Sequence, residues 1–190
     1  MHCIKAPAYS AWLLAGLCFQ AAADVTVTQL ANEGVVISDG QTRVMIDGLV
    51  VDSYSIYGGL QPHARAAFQA LSYPFDGVDL VLVSHRHHDH NQPGHACSFM
   101  QASTGSRLAT SPQVIGLMRE KCRPFMTGSE RVEEIHPAPG EQLELAEGSA
   151  RVRVFPLSHG SRKYAKIQNY GHLVEMGGVT LVHVGDAAMN

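Results

Sequence analysis

The chain has 190 residues, of which 45% are hydrophobic and 16% are charged, a balance that is typical of a folded globular domain and argues against disorder. Its 14 basic and 17 acidic residues give a formal net charge of −3. Because the basic residues are neither in excess nor clustered, the charge gives no support for nucleic-acid binding. Histidine is the distinctive component, with 11 copies, and residues 85–90 are especially rich in it. Since histidine is the commonest metal ligand, this local density indicates a metal site.

Residues 1–23 have the order of a secretory signal peptide. Lys5 supplies a positive charge, an apolar run occupies residues 11–19, and small residues precede Asp24. The pattern predicts cleavage after Ala23 and a periplasmic or secreted protein. The apolar run is too short to span a bilayer, so we expect no integral membrane segment after cleavage; a buried N-terminal helix is the alternative interpretation. Residues 24–190 contain no repeat or linker-like stretch and are predicted to form one domain.

Export changes the interpretation of the cysteines. Cys3 and Cys18 lie in the predicted signal peptide, which leaves Cys97 and Cys122 in the mature chain. In an oxidising compartment these two are candidates for a disulfide. Two buried free thiols fit the sequence equally well, because the sequence does not show the distance between their Cα atoms.

Short strands dominate the first half of the mature chain. Residues 25–30 alternate branched and polar side chains, as in a half-buried strand. Residues 34–38 and 42–47 are predicted to form a hairpin around Asp39-Gly40. The next predicted elements are a loop at 49–62, an alanine-rich helix at 61–72 and a strand at 78–84. The last of these is a nearly continuous apolar run, which predicts a strand that is covered on both faces.

The second half of the mature chain is predicted to contain one helix followed by further strands. Ser111 and Pro112 provide an N-cap and a first-turn proline for a helix that extends to about residue 122. The predicted strands that follow are 132–135, 142–145, 151–157, and a final hairpin of 172–176 with 179–184. Many strands with few helices indicate a mixed α/β or α+β domain built on antiparallel hairpins.

The motif H-x-H-x-D-H comes directly after the buried strand that is predicted at residues 78–84. His85 and His87, two residues apart in an extended stretch, project to the same side and can chelate one ion. Asp89 and His90 lie beyond them, where the chain can turn toward a second ion. Imidazole and carboxylate ligands favour zinc, one or two ions, with manganese or iron as alternatives.

Two later strands also end in a side chain that can bind metal. His159 follows the strand predicted at 151–157, and Asp186 follows Gly185 at the end of the strand predicted at 179–184. Ligands at the ends of rigid strands are held precisely and remain accessible.

The order of these motifs resembles the metallo-β-lactamase superfamily, whose fold is an αββα sandwich. In that family two metal sites share a bridging aspartate. Carried over by position, the first site would be His85, His87 and His159, the second Asp89 and His90, and the bridging residue Asp186. The resemblance implies hydrolysis of an ester, lactone, amide or phosphodiester bond in a small-molecule substrate by a metal-bound hydroxide, which Asp89 would orient. Two alternatives are a non-catalytic metal-binding member of the fold and an iron-dependent oxidoreductase of the same superfamily.

The family supplies one more histidine to its second site from a segment after the Gly-Asp motif, whereas this sequence ends at Asn190. We therefore expect the chain to be the N-terminal part of the sandwich, with the C-terminal part missing. His88 is interpreted as an exposed residue or one that lies behind the ligands, and His183 as a packed residue, with orientation of a ligand or substrate as the alternative. Arg162, Lys163 and Lys166 are interpreted as a solvated loop, with binding of an anionic substrate group as the alternative. The remaining histidines are interpreted as surface or loop residues: His63, His95, His136 and His172. Tyr54, Tyr57 and Tyr73 are candidates for the mouth of the site, with no spacing argument for any of them.

Overall fold

The computed structural model describes residues 24–188, so the predicted signal peptide lies outside the described residues. Two sheets form the framework. The first has six strands in spatial order β1 to β6: β1 Thr26–Gln29, β2 Val35–Ser38, β3 Arg43–Ile46, β4 Leu80–Val83, β5 Arg107–Thr110 and β6 Val132–Glu134. The second has the order β10-β9-β8-β7: β7 Leu143–Glu147, β8 Ala150–Leu157, β9 Asn169–Met176 and β10 Val179–His183.

Helices connect the strands of the first sheet. They are α1 Pro62–Ala70, α2 Pro93–Ala102 and α3 Pro112–Met126. Each begins with a proline, which costs no hydrogen bond there because first-turn N–H groups have no partner within the helix. Ser111 caps α3 by accepting a hydrogen bond from the Val114 N–H (3.3 Å). A kink at Cys122 precedes Pro124 inside α3, as expected where proline removes a backbone donor.

The pairing of the first sheet corrects the prediction of a fold built on antiparallel hairpins. Only β1, β2 and β3 pair antiparallel, whereas β3 to β6 are parallel. Parallel neighbours need crossover connections, and α1, α2 and α3 provide them. The sequence pattern did not indicate α2 or β5, and therefore one complete crossover was not predicted. In the second sheet every pair is antiparallel, as predicted.

Two apolar cores lie on opposite faces of the first sheet. Alternate strand residues such as Val81 and Val83 face the helices, and Leu80 and Leu82 face the second sheet. Strand β4 is buried along its whole length, as its continuous apolar sequence predicts. The described residues thus build helix, sheet and sheet layers of the expected αββα sandwich. No helix among residues 24–188 is long and apolar enough to cross a membrane.

A disulfide joins α2 to α3. Cys97 and Cys122 pair across the helix layer with their Cα atoms 5.9 Å apart. Both residues are buried in the core between the helices and the first sheet. Of the two alternatives left open by the sequence, the structure has the disulfide.

Candidate metal centre

The candidate ligands converge where the two sheets meet. His85, His87 and His90 belong to the loop after β4, whereas His159 follows β8 and Asp186 follows β10. The two sheets are joined here by a hydrogen bond from the Tyr170 N–H in β9 to the carbonyl of Ser84, which follows β4 (3.0 Å). Residues from separate sheets are therefore held in one cluster.

Gly185 places Asp186 in this cluster. Its φ of +52° is in the left-handed region, and a Cβ at this position would lie 2.9 Å from the Ser84 side chain. Only glycine tolerates both the conformation and the close approach. Glycine is therefore required before Asp186 for steric reasons.

Three histidine nitrogens and one carboxylate oxygen form the first group of donors. His87 Nδ1 lies 3.1 Å from both His85 Nε2 and His159 Nε2, and the last two atoms are 3.3 Å apart. Asp186 Oδ2 lies 3.3 Å from His159 Nε2 and 3.6 Å from His85 Nε2. The sequence predicted all four residues for a metal site, and the structure brings them together.

The spacing of this group fits a bound metal. Ligands at about 2.0–2.1 Å from a tetrahedral zinc ion are about 3.3–3.4 Å from one another. The three histidine nitrogens, and Asp186 Oδ2 with those of His85 and His159, have separations of 3.1–3.6 Å, and the donor atoms of all four residues lie within 4.8 Å of one another. Neutral histidines cannot satisfy three mutual nitrogen contacts by hydrogen bonds, since each ring has only one N–H. A cation that accepts all three lone pairs resolves this conflict.

A second group of donors shares Asp186 with the first. Asp186 Oδ1 lies 3.2 Å from His90 Nε2, and Glu33 contributes a carboxylate oxygen within 4.8 Å of both residues. The two oxygens of Asp186 therefore face different groups, which is the arrangement that a bridging carboxylate requires. Glu33 was not predicted as a site residue, because it lies in a short turn with no motif around it.

Asp89, predicted as a second-site ligand and as the catalytic residue, lies at the margin of the second group. Its Oδ2 is 3.9 Å from His90 Nε2, and its carboxylate is not among the closest donors of either group. The side chain is largely buried beside His90.

Asp47 orients residues of the centre through hydrogen bonds. It follows β3 and is 1% exposed, and its carboxylate accepts hydrogen bonds from His90 Nδ1 (2.8 Å), Ser84 N (2.7 Å) and Ser84 Oγ (2.5 Å). Ser84 Oγ in turn lies 3.0 Å from His85 Nδ1. These bonds leave Nε2 of both histidines free to face the cluster, as outer-shell partners of metal-binding histidines do.

Charge differs between the two groups. Burial and the nearby His90 lower the pKa of His85, so its ring is neutral. His90 is also buried, but its hydrogen bonds to Asp186 and Asp47 prevail and raise its pKa to about 10. The hydrogen bond from His90 lowers the pKa of Asp186. The carboxylates of the second group thus attract positive charge, which a bound metal supplies in place of the His90 proton.

The remaining residues have varied positions. His88 is exposed, with its ring 4.7 Å from that of Tyr54, and His183 donates to the Glu33 carbonyl (3.0 Å). His172, expected at the surface or in a loop, is instead fully buried in β9, because its position in the strand faces the interior. Tyr73 contacts Arg43 away from the cluster. The ring of Tyr164, a residue that was not predicted to belong to the site, lies 4.8 Å from that of His159.

Comparisons with known proteins concern the family and the fold of this chain. The sequence matches the family described as "Beta-lactamase superfamily domain" over residues 42–189. No curated protein gives a significant match. Solved structures with the same fold include Igni18, a metallo hydrolase from Ignicoccus hospitalis (18% identity, TM-score 0.53, covering 87% of this chain and 62% of that one). The metallo-beta-lactamase-fold protein YhfI from Bacillus subtilis is similar (18% identity, TM-score 0.53, covering 85% and 57%).

A further structure with this fold is CmlA, a diiron β-hydroxylase from Streptomyces venezuelae (20% identity, TM-score 0.55, covering 86% of this chain and 30% of that one). The chain thus spans less than two thirds of the length of each of these three proteins. At such identities the likeness shows the fold alone. The family match extends over most of the sequence and includes the H-x-H-x-D-H motif, His159 and Asp186. The chain belongs to the metallo-β-lactamase superfamily.

Proposed function

We propose that the protein is a metal-dependent hydrolase that acts on a small molecule with an ester, lactone, amide or phosphodiester bond. The observation that carries this proposal is the position of Asp186, whose two carboxylate oxygens face two separate donor groups. His85, His87 and His159 would hold the first ion with Asp186, and His90 and Asp186 would contribute to the second. A divalent metal in such a site lowers the pKa of a coordinated water and polarises the scissile bond.

The surrounding side chains have roles of their own in this proposal. Asp89 is close enough to His90 for its carboxylate to accept a hydrogen bond from a water in the centre and orient it. Tyr164 lies against His87 and His159, with ring centroids 5.0 and 4.8 Å away, and would keep bulk water from that side. Beside His159 is a cavity of about 450 Å³, whose lining includes Arg162. A cationic side chain there suits a substrate with an anionic group.

Zinc is the proposed metal, because three imidazoles and one carboxylate form a donor set that zinc commonly has. Iron is the second candidate. The second group has carboxylate oxygens, which harder ions also accept, and the fold is shared by a diiron β-hydroxylase. Elemental analysis of the protein purified from its native host distinguishes the two.

Export is also part of the proposal. The order of charge, apolar run and small residues in 1–23 supports processing after Ala23. The Cys97–Cys122 disulfide supports it independently, because disulfides persist in oxidising compartments and are rare in the cytosol. N-terminal sequencing of the exported protein should begin at Asp24, and a mature protein that begins at Met1 would contradict the proposal.

The test of function compares two neighbouring histidines. His87→Ala removes a donor from the first group, and we expect it to lose at least half of the tightly bound metal and to hydrolyse none of a panel of lactone, ester, β-lactam and phosphodiester substrates. His88→Ala is the matched control, since its side chain is exposed, and should retain metal and turnover. Equal metal content in both variants would contradict the assignment of the site.

A further inference from the structure

We propose that Glu33 is a ligand of the second metal ion, which it binds together with His90 and Asp186. The inference rests on the proposed metal-dependent function and extends it to a residue outside the motifs that suggested that function. Glu33 lies in the turn between β1 and β2, more than fifty residues before the first histidine of the motif.

The donor atoms are already close together. One atom from each of Glu33, His90 and Asp186 lies within 4.8 Å of the other two, and His90 Nε2 and Asp186 Oδ1 are 3.2 Å apart. His90 donates its Nδ1–H to Asp47 (2.8 Å), so Nε2 is the nitrogen available to a metal. The three residues thus offer one imidazole and two carboxylates to the same space.

The turn that carries Glu33 is held against the centre from several sides. Asn32 Nδ2 donates to the Asp89 carbonyl at 3.3 Å, and His183 Nε2 donates to the Glu33 carbonyl at 3.0 Å. His183 Nδ1 accepts from the Gly185 N–H at 3.3 Å, which fixes the ring as the tautomer that carries its proton on Nε2. The backbone on either side of Glu33 is therefore tied to the motif loop and to the end of β10.

Gly34 permits this approach. A Cβ at position 34 would lie 2.7 Å from the Asp47 carbonyl and 3.1 Å from the Gly48 Cα, so a larger residue would push the turn away. The close contact joins the backbone of this turn to the backbone that follows β3. Its effect is to place the Glu33 side chain over the centre.

The charges that act most strongly on Glu33 belong to the centre itself. They are those of His90, Asp186, His183 and Asp47, and none of them is a lysine or arginine. The carboxylates of Asp186 and Asp47 repel the carboxylate of Glu33, whereas the two histidines attract it when they are protonated. A divalent ion bound by Glu33, His90 and Asp186 removes this repulsion.

Cobalt(II) is the probe for the test, because it accepts both imidazole and carboxylate ligands and its absorption spectrum reports coordination. Wild-type protein should bind two cobalt ions per chain. We expect Glu33→Gln to bind the first ion with wild-type affinity and the second at least tenfold more weakly. Glu120→Gln, which removes a charge from an exposed position on α3, is the matched control and should bind both ions as the wild type does.

Salt separates direct ligation from a general effect of charge. The weakening in Glu33→Gln should persist in about 0.5 M KCl, where long-range interactions between exposed charges are screened. A deficit that disappears at this salt concentration would contradict ligation by Glu33. Because the side chain is exposed, the variant should melt at the wild-type temperature, so a folding defect would not account for lost metal.

The remaining outcomes distinguish the two proposals. A Glu33→Gln variant that binds the second cobalt ion as tightly as the wild type would overturn the role of Glu33 and leave the first donor group intact. If the wild-type protein bound one ion per chain and His87→Ala lost that ion, the role of Glu33 would also be overturned and the first donor group would remain supported. Wild-type protein that binds no cobalt would instead contradict the metal-dependent function itself.

Discussion

His90 Nδ1 lies 2.8 Å from a carboxylate oxygen of Asp47, and the two residues are 2% and 1% exposed. The hydrogen bond orients the imidazole so that Nε2 faces Asp186. Asp47 also accepts two hydrogen bonds from Ser84, which contacts His85. One buried carboxylate therefore orients residues of both donor groups.

Replacement of Asp47 should weaken metal binding although Asp47 faces away from the metal positions. Asp47→Asn retains the shape of the side chain and removes its charge, and we expect a loss of about 10–100-fold in zinc affinity, as for other outer-shell partners. Competition with a coloured chelator measures the affinity. Asp76→Asn, at an exposed carboxylate that pairs with Arg43, should bind zinc normally; the same loss in both variants would exclude the specific role of Asp47.

Metal should also stabilise the fold, because the first donor group takes ligands from both sheets. A ligand that binds only the folded chain contributes about 2.7 kcal/mol when its concentration is 100 times Kd. For a domain of this size, that corresponds to an increase in Tm of roughly 5–10 °C. Differential scanning fluorimetry with zinc and with a chelator measures the shift. His87→Ala should show little of it, and a Tm that is independent of zinc in the wild type would contradict the expectation.

The disulfide between α2 and α3 should contribute to stability. It closes a loop of 25 residues, for which chain entropy gives about 3.5 kcal/mol. The double variant Cys97→Ala, Cys122→Ala should lose about 2–4 kcal/mol of unfolding free energy in guanidinium titrations. A reducing agent should destabilise the wild type by a similar amount and leave the double variant unchanged. If reduction had no effect on the wild type, the two cysteines would not be paired in solution.

His172 should make stability depend on pH. Burial, with a smaller contribution from His183, lowers its pKa to about 4 despite the opposing charge of Asp47. The unfolded chain binds a proton near pH 6.5 and the folded chain does not until about pH 4. Stability from this residue is therefore complete above pH 6.5 and is lost as the pH falls toward 4, by about 3 kcal/mol in full.

His172→Leu tests this dependence, because it removes the titrating ring and keeps a side chain of similar size. Urea titrations of both proteins at several pH values, with a chelator present, give the difference that belongs to His172. The variant should lose less stability than the wild type between pH 6.5 and 4. It should also be no less stable at neutral pH, since neither ring nitrogen of His172 has a hydrogen-bond partner among residues 24–188. Parallel pH curves for the two proteins would contradict the expectation.

Site residues could be predicted from the sequence where they belong to a local motif, and could not be predicted where their position depends on tertiary contacts. The H-x-H-x-D-H motif, His159 and Asp186 could be found because each follows an apolar strand. Glu33 could not, because its proximity to His90 arises from the close approach of Gly34 to Asp47. Any glutamate in any exposed turn has the same local appearance.

The missed elements have similar causes. Helix α2 contains glycine, serine, cysteine and histidine among its ten residues, which leaves only a weak apolar periodicity. Strand β5 has four residues and begins with Arg107, too short a run to distinguish from a loop. Without these two elements the alternation of strand and helix is interrupted, and parallel pairing of β3 to β6 could not be predicted.

The distribution of the ligands along the chain has a consequence for the order of folding. His85 and His159 are 74 residues apart, and contacts of such long range form slowly because the chain between them must first be ordered. Because His159 and Asp186 follow strands of the second sheet, the histidines after β4 have no partners from them until the second sheet docks. Metal capture should therefore be one of the last events in folding, and its rate would report the docking of the two sheets rather than the formation of either one.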